Sequence, residues 1–168
     1  GKVTGFCAED IGLIYQDKLV DWIIVETDGA RMKPFKASSA FEPVFPLATT
    51  DLILVAGLDA VGLPVDETHV HRPELIMKHT GLDPGAFLSH KDIAKTLLIE
   101  MDKAKTRCSS STMTYFLNKA DTDARFEAGK KIIDHIRKQD TQAGYIIGCL
   151  EPECKIKYQA APSPYKTG

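Results

Sequence analysis

Two acidic residues and three cations stand close together in the segment WIIVETDGARMKPFK at 22–36. Glu26 and Asp28 follow an apolar run, and the cations after them are Arg31, Lys33 and Lys36. Carboxylates hold Mg²⁺ through its bound waters, and Arg and Lys side chains pair with phosphate oxygens. The spacing therefore indicates a Mg²⁺–phosphate site, with Glu26 and Asp28 as candidate catalytic and metal-side residues. The alternative is a charged loop that only faces water.

A second motif, Asn118-Lys119-Ala120-Asp121, directly follows the apolar run MTYFL. A carboxylate at Asp121 can accept hydrogen bonds from the N1–H and the N2 amino group of guanine, two donors that adenine lacks. Asn118 can bind the other edge of the base, and the aliphatic stem of Lys119 can cover its plane. N-K-x-D after a strand is the guanine-recognition pattern of GTP-binding domains. A backbone amide near Cys149, after the next predicted strand, is expected to close over the base.

The third polar motif is HVHRPE at 69–74. His69 and His71 lie on one side of an extended segment, as two metal ligands could, but no third ligand is fixed nearby. Arg72 is alternatively a candidate to reach a phosphate across the sheet crevice. The remaining interpretation is a polar helix start, where the side chains that bind neighbouring loops are His71, Arg72 and Glu74.

Hydrophobic periodicity predicts alternating helices and strands around these motifs. Buried strands are predicted at 22–27, 51–58, 113–117 and 144–150, with an edge strand at 155–158. Helices are predicted at 7–19, 72–81, 89–105 and 123–138, with an irregular loop at 34–50. This alternation predicts an α/β fold, a mostly parallel sheet in a three-layer α/β/α sandwich. The predicted domain covers residues 1–150, and a proline-containing tail covers 151–168.

Composition narrows the possible functions. A net charge of −2, with 43% apolar and 26% charged residues, is typical of a globular domain. It provides no positive field for nucleic acid or for an anionic membrane. No apolar run approaches the roughly 18 residues of a membrane span. The four cysteines include no C-x-x-C pair. They are therefore predicted to be reduced thiols of a cytoplasmic protein.

Several longer motifs resemble a known family. They are DWIIVETDGARMKPFKA, FEPVFP, LILVAGLDAVGLP, VHRPEL and FLNKAD, and they span most of residues 1–150. The chain is similar to the YqeC-type accessory proteins of selenium-dependent molybdenum hydroxylases, which look like P-loop NTPases. The positions shared with that family are Glu26, Asp28, Gly29, Arg31, Pro34, Lys36, His71, Arg72, Glu74, Asn118, Lys119 and Asp121.

The resemblance implies a nucleotide-binding protein that acts in maturation of a client molybdenum hydroxylase or in insertion of its cofactor. GTP with Mg²⁺ is the implied ligand, and ATP is the alternative. A second interpretation is a non-catalytic module that binds or delivers a phosphate-bearing cofactor of molybdopterin type, and a third is an inactive oligomeric fragment. The candidate phosphate or cofactor contacts are Arg31, Lys36, His71, Arg72 and Glu74.

Two features depart from the family pattern. Thr27 stands beside the two acids where the family usually has Ala. The phosphate-binding loop G-x-x-x-x-G-K-[ST], with which family members begin, does not occur in these residues, which implies either a truncation or a natural loss. No GTP hydrolysis is therefore expected from this chain by itself. Sheet edges left without their neighbours predict a homo-oligomer.

Overall fold

Helices and strands alternate through residues 5–162, the part of the chain that the computed structural model describes. The helices are α1 (Ala8–Asp17), α2 (Pro73–Thr80), α3 (His90–Arg107) and α4 (Asp123–Arg137), with a short 3-10 helix at Leu58–Ala60. The strands are β1 (Asp51–Gly57), β2 (Thr112–Asn118), β3 (Gly144–Cys149) and β4 (Lys155–Ala160). They form one sheet in the order β1-β2-β3-β4. The predicted α/β class with a mostly parallel sheet is confirmed.

The register of the parallel strands brings their carboxyl ends to one edge of the sheet. β1 pairs with β2 so that Gly57 lies opposite Asn118, and β2 pairs in parallel with β3. β4 runs antiparallel to β3 and confirms the predicted edge strand. The sheet thus extends past residue 150, where the predicted domain ended. Residues 1–4 of that domain and 163–168 of the predicted tail lie outside the described residues.

Helix boundaries follow the predicted start and stop signals. The Ser89 hydroxyl accepts from the backbone N–H of Asp92, whose carboxylate accepts from the backbone N–H of Ser89, forming a capping box. α2 begins at Pro73 and ends before Gly81, which takes a left-handed conformation with φ of 85°. All four predicted helices are confirmed, with ends shifted by one or two residues.

One face of the sheet is covered by α3 and α4. Tyr115, Leu117 and Ile147 point into this layer and are fully buried. A Cβ at Gly129 of α4 would lie 3.2 Å from the Cδ1 atom of Ile147, so α4 packs directly on β3. On the opposite face Ile53 of β1 is 58% exposed. Residues 5–162 therefore show two of the three predicted layers.

The predicted strand at 22–27 is wrong. The segment is extended but forms no strand, and the side chains of Trp22 and Ile24 are 84% and 95% exposed. An apolar run becomes a strand only when a neighbour pairs with its backbone, and no described residue pairs with this run. β1 lies where a strand was predicted at 51–58. Its predicted burial is wrong, because β1 is an edge strand with Ile53 and Val55 more than half exposed.

A buried carboxylate joins the helical layer to the sheet. Asp140 follows α4 and is 4% exposed. Its Oδ2 atom accepts hydrogen bonds from the Lys105 ammonium at 2.7 Å and from the Tyr115 hydroxyl at 3.0 Å. The Tyr145 hydroxyl donates to the Asp140 carbonyl oxygen. Burial, followed by the Asp140 charge, raises the pKa of Tyr115 above its ordinary value and that of Tyr145 to about 12. Nothing in the sequence singled out Asp140.

Candidate functional site

The candidate residues lie in two groups at the carboxyl edge of the parallel strands, and two contacts link them. The segment 26–36, which carries Glu26 and Asp28, is called the acidic loop. The backbone N–H of Gly57, the last residue of β1, donates to the Pro34 carbonyl at 2.9 Å and so holds this loop against the sheet. Lys119, directly after β2, pairs with Asp59 at 2.6 Å between Nζ and Oδ2. The ends of β1 and β2, the acidic loop and the N-K-x-D motif are therefore neighbours.

Asp28 is engaged by its own loop. Its Oδ2 atom accepts from the hydroxyl of the buried Ser38 at 3.1 Å and forms an ion pair with the Lys36 ammonium. Lys36 also donates to the Asp28 carbonyl oxygen at 2.6 Å. The structure thus brings Asp28 and Lys36 together, as part of a closed turn rather than as two free charges.

Glu26 is the more open of the two acids. Its side chain is exposed, lies close to Gly29 and makes no ion pair with any described residue. Ser38 and Lys36 engage Oδ2 of Asp28, whereas neither oxygen of Glu26 forms an ion pair with a described residue. Within residues 5–162 there is no group of three or more His, Cys, Asp or Glu side chains that could hold a metal ion.

Three cationic side chains, those of Arg31, Lys36 and Arg72, lie near enough to His71 for their charges to affect its pKa. Lys36 and His71 form an isolated parallel bridge, in which the His71 N–H donates to the Phe35 carbonyl at 3.0 Å. Burial lowers the pKa of His71 below its ordinary value, and the nearby charges of Arg31 and Arg72 lower it further. The Asp28 charge acts in the opposite direction, and two of the nearby cations, Lys36 and Arg72, are already paired with Asp28 and Glu42. His69 points elsewhere and pairs with Asp66, at 2.7 Å from Nδ1 to Oδ1.

Arg72 is held by the FEPVFP segment. Its guanidinium pairs with the carboxylate of Glu42, which also accepts from the Ser39 hydroxyl at 3.0 Å. The hydrogen bond from Arg72 is the main cause that lowers the pKa of Glu42 to about 2. Arg72 precedes α2 in a left-handed conformation with φ of 60°. Glu74, in the first turn of α2, is exposed and makes no ion pair with a described residue.

The Arg72–Glu42 pair predicts an acid-dependent loss of stability. Because the pKa of Glu42 is lowered from 4.5 to about 2 on folding, its contribution is present above pH 4.5 and is lost as the pH falls toward 2. We expect Glu42→Gln to flatten this part of the stability profile, with an effect below about 1 kcal/mol because the pair is partly exposed. Urea unfolding between pH 7 and 2.5 measures it, with Glu74→Gln as control. Parallel profiles for wild type and Glu42→Gln would contradict the prediction.

The N-K-x-D motif is anchored to both neighbouring strands. The Asn118 side-chain oxygen accepts from the Lys119 N–H at 2.7 Å, and Lys119 takes a left-handed conformation with φ of 63°. The Ala120 N–H donates to the Gly148 carbonyl of β3 at 2.9 Å. Cys149 follows, with its thiol donating to the Glu151 carbonyl at 2.7 Å. The motif and the segment expected to close over a base are thus adjacent.

Asp121 is paired with Arg125, a residue that sequence analysis missed. Both oxygens of Asp121 accept from Arg125 Nη1, at 2.7 and 2.8 Å. Mainly because of this hydrogen bonding, the pKa of Asp121 is lower than usual. Asp121 stands just before the Thr122 cap and Arg125 in the first turn of α4, so the four-residue spacing of opposite charges was a usable local signal. Asp59, the partner of Lys119, had no such signal, because it lies 60 residues away in the chain.

Gly148 lies where β3 packs closely on β4, and its carbonyl oxygen accepts the hydrogen bond from Ala120 of the N-K-x-D motif. A Cβ at Gly148 would lie 2.8 Å from the Lys155 carbonyl oxygen, a backbone atom that cannot move without shifting β4. We expect Gly148→Ala to lower the free energy of unfolding by about 2 kcal/mol. Gly12→Ala is the control for adding a Cβ without a clash: nothing lies within 4 Å, and because Gly12 is inside α1, Ala there should not lower stability. Chemical denaturation measures the free energy of unfolding of both variants. If Gly148→Ala is as stable as wild type, β4 moves away from the added Cβ at no measurable cost.

Comparison with known proteins relates the chain to one family. Residues 1–74 match the family described as YqeC protein. A relative from Escherichia coli (strain K12), named "Uncharacterized protein YqeC", is 29% identical over 143 residues. These matches show that the chain is similar to the YqeC family, most directly over residues 1–74. The alignment covers 85% of this chain but 56% of the relative, so the chain spans about half the length of the curated protein it matches.

The family match includes one of the two site groups. The acidic loop and the segment His71–Glu74 fall within residues 1–74, whereas the N-K-x-D motif lies beyond them. No solved structure matches the chain. Within residues 5–162, no helix is both long enough and apolar enough to cross a membrane.

Proposed function

We propose that this chain binds a guanine nucleotide at the carboxyl edge of its sheet, as part of an accessory protein that helps to mature a client molybdenum hydroxylase. The observation that carries the proposal is the position of the N-K-x-D motif. Asn118 ends strand β2, Lys119 and Asp121 follow it, and a backbone hydrogen bond ties their loop to Gly148. Ligands of open parallel sheets bind at this edge.

The base would be selected by charge-assisted hydrogen bonds. The Asp121 carboxylate would accept from N1–H and N2–H of guanine, and Asn118 would bind the opposite edge of the ring. The Lys119 stem would lie on the base while its ammonium stays with Asp59, 2.6 Å away. Adenine lacks the paired donors, so it would leave the Asp121 carboxylate unsatisfied.

The phosphates would lie toward the acidic loop. Arg31 is exposed and makes no ion pair with any described residue, so it is open to an anion. Arg72 would reach the same ligand by exchanging Glu42 for a phosphate oxygen, both being acceptors for its guanidinium. Mg²⁺ held through water at Glu26 and Asp28 would neutralise phosphate charge. Lys36 would stabilise the loop rather than bind phosphate, since it is paired with Asp28.

A second candidate function rests on the cations around His71. The charges of Arg31, Arg72 and Lys36 all act on His71, with Arg72 paired to Glu42 and Lys36 to Asp28. Such a cluster would suit a non-catalytic module that holds a phosphate-bearing cofactor of molybdopterin type and delivers it to the client enzyme. In that case affinity would depend on the phosphate group and not on guanine.

Titration calorimetry with GTP and ATP, each with and without Mg²⁺, separates the two candidates. We expect GTP to bind at least about tenfold more tightly than ATP, because adenine forfeits two charge-assisted hydrogen bonds. Equal affinities would overturn guanine recognition. Equal affinities that both fall in Arg72→Ala would support the cofactor module, and Lys130→Ala, whose cation lies on the outer face of α4, is the matched control.

We also propose that the protein self-associates through β1. Among the described residues this strand is at the edge of the sheet, and the side chains of Ile53 and Val55 are more than half exposed. An apolar edge strand favours pairing with another strand. Light scattering after size exclusion is expected to show a dimer or larger species that Ile53→Lys converts to a monomer. A monomeric wild-type protein would contradict this.

A further inference from the structure

The Asp121 carboxylate, which is the proposed acceptor of the guanine N–H groups, already has a partner in the structure. Arg125, in the first turn of α4, places one guanidinium nitrogen at 2.7 and 2.8 Å from the two oxygens of Asp121. These are the same oxygens that the N1–H and N2–H groups of the base would approach. Both side chains are partly exposed, at 37% for Arg125 and 44% for Asp121, so the pair is open to an incoming ligand.

The position of Arg125 in the first turn of α4 is unfavourable for a positive charge. Thr122 caps α4, its hydroxyl accepting from the Arg125 N–H at 3.2 Å. The N-terminal turn of a helix favours negative charge, so a cation there is unfavourable unless an anion compensates it. Asp121 is that anion. The conformation of Arg125 is therefore set by the same carboxylate that the base requires.

We infer that Arg125 is an internal competitor of the guanine base, bonded to Asp121 in the ligand-free protein and displaced when the nucleotide binds. The inference rests on the proposed guanine site. A planar group with two adjacent N–H donors can replace the guanidinium at both oxygens, whereas a base without that donor pair would displace Arg125 without compensation. Arg125 would thus lower the affinity of the site for every nucleotide, and it would do so most for nucleotides whose base lacks the donor pair.

Removing the competitor should tighten binding. Exposed ion pairs of this spacing are weak, so we expect Arg125→Ala to bind GTP about two- to fivefold more tightly than wild type. The gain should shrink at high salt, because salt screens the pair that the variant lacks. Lys130→Ala is the matched control: it deletes a cation from the same helix whose partner, Glu127, lies at 2.7 Å and away from the motif. It should bind GTP as wild type does.

The test is a calorimetric titration of GTP and ATP into wild type, Arg125→Ala, Arg125→Gln and Lys130→Ala at low and high salt. Tighter GTP binding in both Arg125 variants, but not in Lys130→Ala, supports the inference. Guanine preference with unchanged or weaker binding in the Arg125 variants overturns the inference and leaves the proposed function intact. Absence of guanine preference in all four proteins overturns the proposed function, and the inference with it. Arg125→Gln removes the charge while keeping the Cβ, Cγ and Cδ atoms of the side chain, should Ala disturb α4.

Discussion

Asp121→Asn is expected to convert a guanine site into one that prefers xanthine. The Asn side chain keeps one acceptor for N1–H but presents an N–H donor to position 2 of the ring. Guanine carries an amino group there, so two donors would face each other, whereas xanthine carries a carbonyl that accepts the new donor. We expect GTP affinity to fall about 10- to 100-fold, the loss that follows when a charge-assisted hydrogen bond is replaced by a repulsive contact.

Competition binding of GTP and XTP to wild type and Asp121→Asn measures this inversion. Asp123→Asn is the matched control, because Asp123 is an exposed acid two residues further on, in the first turn of α4. It should keep the wild-type order of affinities. If Asp121→Asn binds GTP as tightly as wild type, the base does not contact Asp121 and the N-K-x-D motif is only a helix-entry loop.

Asp140→Ala is expected to cause the largest loss of stability. The substitution removes the acceptor of the Tyr115 hydroxyl and of the Lys105 ammonium, which donate at 3.0 and 2.7 Å. Tyr115 is fully buried, so its hydroxyl would be left without a partner and without water. Lys105 is partly exposed and can regain water, which limits its share. We expect the free energy of unfolding to fall by about 3 kcal/mol.

Two further variants apportion that loss. Tyr115→Phe removes only the hydroxyl and leaves Asp140 paired with Lys105, so it should cost about 1 kcal/mol. Asp134→Ala, on the exposed face of α4, should change little. Urea denaturation followed by circular dichroism measures all three. An Asp140→Ala protein as stable as Asp134→Ala would mean that water enters and satisfies the tyrosine.

The helices were predictable because their signals are local. Ser89 and Asp92 cap α3, and Pro73 and Gly81 bound α2, in each case through bonds or backbone angles within a few residues. The same holds for the position of the N-K-x-D motif, which follows directly from the apolar run of β2. Short-range geometry decides such features wherever the segment lies in the fold.

The strands show what a local pattern leaves undecided. The runs at 22–27 and 51–58 look alike in sequence, yet the second pairs with β2 and the first pairs with no described residue. Apolar, β-branched composition indicates that a segment can be buried in a sheet. Whether it is depends on a neighbouring strand that supplies the missing hydrogen bonds and covers the side chains. That neighbour is a property of the whole fold.

The amino-acid sequence determined which residues are candidates for a site, namely Glu26, Asp28, Arg72 and Asp121. It placed Arg72 beside α2 and Asp121 beside β2 correctly, whereas the strand expected before Glu26 and Asp28 does not form. Only the tertiary structure decided the distant partners, which join Arg72 to Glu42 and Lys119 to Asp59. The pairs Asp28–Lys36 and Asp121–Arg125 are local in the chain. The physical reason is that the strength of a charge interaction depends on distance and burial, and residues far apart in the chain acquire both only when it folds.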